Sequence, residues 1–256
     1  MAVRFIADFP ALFITDKKIL VISDLHVGLE HELFRVGVVI PPQAEKFQKD
    51  IDHLARITKA KNLVILGDIK HKVPGISYRE EKEIPKLFSN LIEKFQVICV
   101  RGNHDDNIST LLPKEVKIYP SRGFRIGKYG FFHGHTWPSK KLMQCDHLFM
   151  GHTHSMIQFK DKFGYRIIEP VWMRSRIYRD KIKEKYKVKR TGELEVIIVP
   201  AFNRLLGGTS INVKTASDEL LGPLLKNNFI DIDNAELYLL DGAYLGKVSA
   251  LKLFLD

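Results

Sequence analysis

The sequence predicts an α/β (α+β) fold, a two-sheet core with helices outside. Three observations predict it. Apolar runs alternate with helical spacing in the first half of the chain, short strands and turns fill the second half, and the 256 residues are 45% apolar, enough for one substantial core. Lys18–Ile22 is a short apolar run ending in Ser23-Asp24 and reads as a buried strand. Pro41-Pro42 interrupts the chain, and Gln43–Ala60 then carries Phe47, Ile51, Leu54 and Ala55 at helical spacing. Asn62–Leu66 is a second buried strand, ending at Gly67-Asp68. Arg79–Lys94 reads as a helix with Ile84, Leu87, Phe88 and Leu91 on one face, although Pro85 argues for a start at that point. Gln96–Val100 is a third strand, ending at Gly102-Asn103-His104.

Beyond this the spacing predicts Lys117–Tyr119, Phe124–Ile126, Tyr129–His133 and His147–Met150 as short strands. Met156–Lys160 and Tyr165–Ile168 read as a hairpin around Asp161–Gly164. Ile182–Lys189 and Leu194–Pro200 read as a second hairpin turning at Arg190–Glu193, and Ala235–Leu240 and Gly246–Leu255 as a last pair. No repeat or linker breaks the chain. The expectation is a single domain over residues 1–256, with 172–200 as a basic β-hairpin extension.

No apolar run approaches the roughly 18 to 20 residues of a spanning helix. Asp8, Pro10 and Asp16 interrupt the N-terminal apolar stretch, so a signal peptide is not expected. The expected setting is cytoplasmic, without a membrane. Cys99, in an apolar run, reads as a core thiol, and neither it nor Cys145 belongs to a C-x-x-C pair. The net charge of +10 fits attraction to a polyanion and equally a generic solubilising surface.

Five segments that follow apolar runs carry ligand-type side chains: Asp24-Leu25-His26, Gly67-Asp68-Ile69-Lys70-His71, Gly102-Asn103-His104-Asp105, His133-Gly134-His135 and Gly151-His152-Thr153-His154. Oxygen and imidazole donors without thiolate favour Mn, Fe or Zn, with Ni also compatible, and the mixed set suits two ions. Two cations about 3.5–4 Å apart can hold a phosphate, generate a hydroxide and stabilise an in-line displacement. The glycines before Asp68, Asn103 and His152 fit tight turns that release a strand into the site. A lone histidine is more often a core or surface residue, but the joint pattern is hard to obtain from packing alone.

This order of motifs resembles the calcineurin-like metallophosphoesterase superfamily. Its pattern is D-x-H, G-D-x-x-[DH], G-N-H-[DE], H-G-H and G-H-x-H, and every element is present between Asp24 and His154. The resemblance implies a four-layer β-sandwich flanked by helices, with the site at the strand ends. It also implies two divalent metal ions, most readily Mn2+. Asp24, His26, Asp68 and His154 are then ligands of the first and Asn103, His133 and His152 complete the second, with Asp68 bridging. His104 corresponds to the family's phosphate-contacting general acid, with Asp105 orienting it. His71 stands where nuclease members carry a second substrate-facing histidine, and His135 lines the pocket.

The form of these motifs narrows the substrate. Gly67-Asp68-Ile69-Lys70-His71-Lys72 lacks the arginine that protein phosphatases carry after the second motif. His71 and Gly102-Asn103-His104-Asp105 look closer to the SbcD/Mre11-related nucleases. Pro200-Ala201-Phe202 followed by Gly207-Gly208 is similar to a segment of the compact archaeal and DNA-ligase-associated phosphoesterases. That segment also reads simply as a strand end with a glycine turn. The chain is too short for the capping domain and ATPase-binding tail of the large nucleases. From Trp172 to Arg190 nine basic residues face two acidic ones, a charge of +7, and Lys181, Lys183, Lys185, Lys187 and Lys189 alternate along the chain. On a strand they share one face, which suits a nucleic-acid backbone or protects a sheet edge. Arg174, Arg176, Lys183 and Lys185 are the substrate-binding candidates beside His135. The expected activity is phosphodiester hydrolysis in nucleic acid, DNA more than RNA, with DNA-repair proteins or a second copy as conceivable partners. A small-molecule phosphodiesterase, on cyclic or dinucleotide substrates, or a phosphomonoesterase uses the same cage. A non-catalytic scaffold is the less favoured reading, since every ligand type is present.

Overall fold

In a computed structural model, which describes residues 2–213 and 222–252, the apolar runs of the first half build one sheet. Strands β1 (Val3–Phe5), β2 (Leu12–Ile14), β3 (Ile19–Ile22), β4 (Asn62–Ile65), β5 (Gln96–Val100) and β6 (Lys117–Tyr119) lie side by side in chain order. The first three meander antiparallel, and β3 to β6 run parallel. All four residues of β3 are buried, as a parallel strand covered on both faces requires. Helices α1 (Leu29–Arg35), α2 (Gln43–Thr58) and α3 (Tyr78–Ile92) belong to this half of the chain. Phe47, Ile51 and Leu54 of α2, with Ile84, Leu87, Phe88 and Leu91 of α3, join Leu20, Ile22, Leu63, Ile65, Val97 and Cys99 in one cluster. The Cys99 thiol is the buried core group its apolar run suggests.

Helix α3 starts two turns before Pro85. Ser77 and Glu80 form a reciprocal capping box that fixes the N-terminus, and Pro85 sits inside the helix. The proline removes only the bond to the Glu81 carbonyl, on an exposed residue where water substitutes.

The second sheet contains β7 (Phe124–Ile126), β8 (Tyr129–Phe132), β9 (His147–Met150), β10 (Ser155–Lys160), β11 (Arg166–Arg176), β12 (Glu195–Ile198) and β13 (Thr209–Ser210), in the order β13-β10-β11-β12-β9-β8-β7. Strand β14 (Glu236–Leu239) joins β11 and pairs with β15 (Tyr244–Lys247). The two sheets meet through Leu12, Ile14, Val21, Val64 and Val100 on one side and Phe131, Phe149, Trp172 and Ile197 on the other. The outer face of the second sheet packs Leu148, Val171, Met173 and Val196 with Leu142, Ile182, Leu224 and Leu225. The result is the four-layer sandwich expected.

The predicted hairpin over 182–200 does not form, so 172–200 is not a β-hairpin extension. Residues 172–176 are the end of β11 in mid-sheet, Arg179–Tyr186 is helix α4, and β12 pairs with β11 and β9 instead. The alternation that suggested a strand was ambiguous. Ile182 and Tyr186 are four apart, which is also helical spacing, and the intervening Lys and Glu residues favour helix. The lysines therefore do not share a strand face. In the last predicted pair, β14 and β15 form, but the chain turns helical at Val248–Leu251; the prediction over 253–255 lies outside the described residues. Strands β1 and β2 and helix α1 were not foreseen; three-residue strands are too short to show a period.

Candidate metal centre

Strands β3, β4 and β5 of one sheet, and β8, β9 and β12 of the other, are parallel within their sheets and end at the same edge of the sandwich. The five motif loops leave from those ends. Asp24, His26 and His154 place one donor atom each within 4.8 Å of one another, and so do Asp68, His133 and His152. The Asp68 carboxylate joins the two groups. Its Oδ2 lies 3.4 Å from His26 Nε2 and 3.3 Å from His133 Nε2, while its Oδ1 accepts the His104 backbone N–H at 2.9 Å. Asn103 Oδ1 lies 3.1 Å from His133 Nε2, and His154 Nε2 lies 3.4 Å from Asp24 Oδ1. All seven predicted ligands are therefore brought together.

Hydrogen bonding fixes which imidazole nitrogen faces inward. His133 Nδ1 donates to the Leu66 carbonyl at 2.5 Å, and His154 Nδ1 donates to the Gly207 carbonyl at 3.2 Å. A neutral ring has one proton, so each Nε2 then offers a lone pair. With the His133 ring neutral, its Nε2, Asn103 Oδ1 and Asp68 Oδ2 converge as three acceptors, an arrangement that either a proton on Nε2 or a bound cation satisfies. The buried Nε2 atoms of His26 and His154 have no hydrogen-bond partner, which is also what a ligand atom requires. The donor set fits two divalent ions.

Electrostatics agrees. Burial alone would raise the Asp24 and Asp68 carboxyls, but His154 and His133 around Asp24, and His133 and His26 around Asp68, hold both below the ordinary range. Burial opposes charge on His133, and the Asp68 and Asp24 carboxylates outweigh it, pushing that ring up to about 9. The site thus draws positive charge to the convergence point. His152 is pushed down to about 3 by burial and by His133, leaving it neutral with a free lone pair.

The backbone is bent to serve this cage. Asp24, His26, Asp68, His152 and His154 all hold left-handed φ values between 42° and 70°. Such strain costs about 1–3 kcal/mol per residue and persists only where the surroundings enforce it. Of the three motif glycines expected in tight turns, only Gly67 has a positive φ, 100°. Gly102 and Gly151 are needed for room: a Cβ on Gly102 would fall on Asp68 Oδ1, and one on Gly151 on Ser23 Oγ.

Other expected roles change. Asp105 does not orient His104. Its carboxylate accepts the backbone N–H groups of Gly102 and Ile69 at 2.8 Å, tying the second and third motif loops together. The His104 Nδ1 faces the His71 carbonyl at 2.5 Å and must donate to it, which leaves Nε2 for a substrate. His71 has both ring nitrogens engaged: Nε2 lies 3.0 Å from Glu32 and Nδ1 lies 3.1 Å from His26 Nδ1. These contacts hold its ring against His26, and His26, His71 and His104 bring one donor atom each within 4.8 Å of one another. His135 stands beside the second group, with ring centroids 5.2 Å from His133 and 5.7 Å from His152.

The two arginine candidates lie away from the centre. Arg176 is opposite Glu195, and Glu195 opposite His147, at the start of β12 and β9 and so at the far end from His152. Arg174 is held by Glu195 at 2.6 Å, Lys183 by Asp180 at 3.0 Å, and the Lys185 ammonium sits 3.5 Å from the Trp137 ring centroid. Trp172, where the basic stretch begins, is buried between the sheets and stacks on Phe5 at 4.3 Å.

Several supporting residues escaped the sequence reading. Ser23 donates to Asp24 at 2.6 Å. Phe202 N–H donates to the Ser23 carbonyl and Asn203 Nδ2 to the Leu25 carbonyl, so the Pro200–Gly208 segment braces the first motif loop. Buried Glu80 accepts the N–H groups of His71 and Lys72 at 2.9 and 2.7 Å, and buried Lys70 pairs with Asp106. The Ser77-x-x-Glu80 pattern was a legible cap; nothing in the sequence marked Lys70 as buried.

The family model of the calcineurin-like phosphoesterases matches residues 17–189. The chain belongs to that family and is a hydrolase acting on phosphoester bonds. Its family fellows bind divalent metal ions, and the Asp and His groups here can hold them. Among solved structures, the Pseudomonas putida nuclease MPE shares 18% identity over 91% of this chain and 89% of its own, with a TM-score of 0.54. Yfce, a phosphoesterase from E. coli, shares 17% identity over 90% of this chain and 97% of its own, with a TM-score of 0.43. The first of these shows a common fold. No match is found among curated proteins.

Proposed function

We propose that this protein is a two-metal phosphodiesterase that cleaves nucleic acid, DNA in preference to RNA. The observation that carries the two-metal reading is the Asp68 carboxylate shared between two ligand groups, with one oxygen 3.4 and 3.3 Å from His26 and His133. Asp24, His26, Asp68 and His154 would hold one cation, and Asp68, Asn103, His133 and His152 the other, with Mn2+ the first choice for both. Two such ions supply charge to polarise a phosphate and to make water acidic. His104 acts on the leaving group. Its Nδ1 proton is committed to the His71 carbonyl, so the ring acts as an acid in its doubly protonated form, giving the Nε2 proton to the departing oxygen and becoming the neutral imidazole. Glu32, through His71, holds the His26 ring in its ligating orientation. His135 contacts the phosphate beside His133 and His152. The net charge of +10 is compatible with a polyanionic substrate, and Lys72 standing where protein phosphatases carry an arginine sets the chain apart from that branch.

The test is a metal-by-substrate screen with single-stranded DNA, RNA, 2′,3′-cyclic nucleotides and bis-p-nitrophenyl phosphate. Polymer cleavage with Mn2+ is expected, and activity confined to the small substrates rejects the nuclease reading. His104→Ala is expected to lower turnover by about 10²–10⁴-fold while metal content is unchanged. Asp68→Ala is expected to lose metal and turnover together; full metal-dependent activity in that variant would sink the two-metal assignment.

A further inference from the structure

Strand β11 outruns its neighbours. Its residues Met173 to Arg176 pair with β12, but Arg166 to Pro170 pair only with β10, beyond the end of β12 on the metal side. The β10–β11 hairpin begins one residue after the ligand His154. Strand β13 touches it only at Ser155 and Met156, and Asn212 clasps Gln158 by two hydrogen bonds of 3.0 and 2.9 Å. Past that clasp the hairpin stands clear: all eleven residues from Phe159 to Glu169 are exposed. At 3.3 Å per residue its tip reaches roughly 16 Å beyond Ser155.

The composition of this arm is unusual for free surface. Phe163 is 84% exposed and Tyr165 68%. Lys160 and Arg166 are directly opposed across the strands, and the Lys162 ammonium lies 5.1 Å from the Phe163 ring centroid. The turn is well formed, because Asp161 Oδ1 accepts the N–H groups of Phe163 and Tyr165 at 2.9 Å each. That carboxylate is occupied in shaping the turn, so the tip presents aromatic rings and cations together.

We propose that this hairpin is a docking arm for single-stranded nucleic acid, leading an unpaired strand to the metal centre. The proposal rests on the nucleic-acid reading of the site and deepens it. Phe163 and Tyr165 supply platforms for bases, and Lys160, Lys162 and Arg166 meet the phosphates. Lys160, Lys162 and Arg166 outnumber Asp161 and Glu169, leaving the arm a net charge of +1 toward a polyanion, and the arm is continuous with the loop that carries His154. The rings select single strands, because a base offers its face to a side chain only when it is not enclosed in a duplex stack.

The experiment compares the full-length wild type, Phe163→Ala/Tyr165→Ala and Lys160→Glu/Arg166→Glu. Each is assayed with Mn2+ on a single-stranded oligonucleotide, the corresponding duplex and bis-p-nitrophenyl phosphate. Both variants are expected to bind the single strand at least about tenfold more weakly, the ring variant losing less on the duplex. Turnover of bis-p-nitrophenyl phosphate stays at the wild-type level, which also reports that the variants are folded. If the wild type cleaves single strands and both variants match it, the arm is overturned and the nuclease reading stands. If the wild type turns over the small ester but neither binds nor cleaves any polymer, the nuclease reading fails and the arm with it. A variant that changes oligomeric state in solution while keeping its affinity for the single strand assigns the arm to self-association and overturns the proposal.

Discussion

At the scale of single residues, the centre is built from atoms that cannot be moved without moving a ligand. Gly102 passes so close to Asp68 that even one methyl group has no place beside the shared carboxylate. Gly102→Ala must push Asp68 or separate the second and third motif loops. Expected is a fall of about 10²-fold or more in turnover, because small misplacements of reacting groups carry penalties of that size. Metal content measured beside turnover checks it: normal metal content with normal activity defeats the argument. The same reasoning explains the left-handed backbones at five of the candidate ligands. The strain at Asp24, His26, Asp68, His152 and His154 is tolerated because neighbouring groups hold each loop, such as Ser23 at Asp24 and the Gly207 carbonyl at His154.

At the scale of elements, two carboxylates do the bracing. Glu80 caps α3 and holds the loop that carries His71, so the helix start and the site are one construction. Glu195, at the far end of the second sheet, ties β12 to its neighbours through His147 at 2.7 Å and Arg174 at 2.6 Å. Burial would raise the Glu195 carboxyl, but these bonds outweigh it and hold the group below its ordinary value of 4.5. A depressed carboxyl contributes stability that is complete above the ordinary value and is lost as pH falls through the lower folded-state value. Denaturant unfolding is therefore expected to show wild type more stable than Glu195→Gln at pH 7, by about 1 kcal/mol for a partly exposed group, and the gap to close in acid below 4.5. A gap that persists unchanged into strong acid removes Glu195 as its source.

At the scale of the whole molecule, the metal centre spans both sheets. Asp24, His26, Asp68 and Asn103 come from loops of the first sheet, and His133, His152 and His154 from loops of the second. Ions held there would bind only when the sheets are docked through the layer that contains Trp172 and Phe149. Binding linked to the folded state stabilises it, by about 2.7 kcal/mol at a free metal concentration one hundred times the Kd. Mn2+ is expected to raise the thermal midpoint, a chelator to lower it, and Asp68→Ala to abolish the difference. A midpoint insensitive to metal in the wild type contradicts a centre that bridges the sheets.

The clustering of the candidate donors was legible in the sequence because each lies within four residues of a strand end, and short-range spacing survives in any fold. Strands β3, β4, β5, β8 and β9 were legible for the same reason, as apolar runs buried on both faces. The segment around Lys181–Lys189 was not, because spacing of two and of four coincide at Ile182 and Tyr186, and only packing against Leu224 and Leu225 chooses the helix. The true positions of Arg174 and Arg176 depended on strand register, and the engagement of His71 with Glu32 and His26 on contacts across 39 and 45 residues of chain. The sequence by itself determined which atoms can bind metal, since that is a property of side-chain type. Only the tertiary structure decided which nitrogen of each ring faces inward, which cations lie near the centre, and that a free hairpin of rings and lysines begins beside His154, because each is set by long-range hydrogen bonds and pairing.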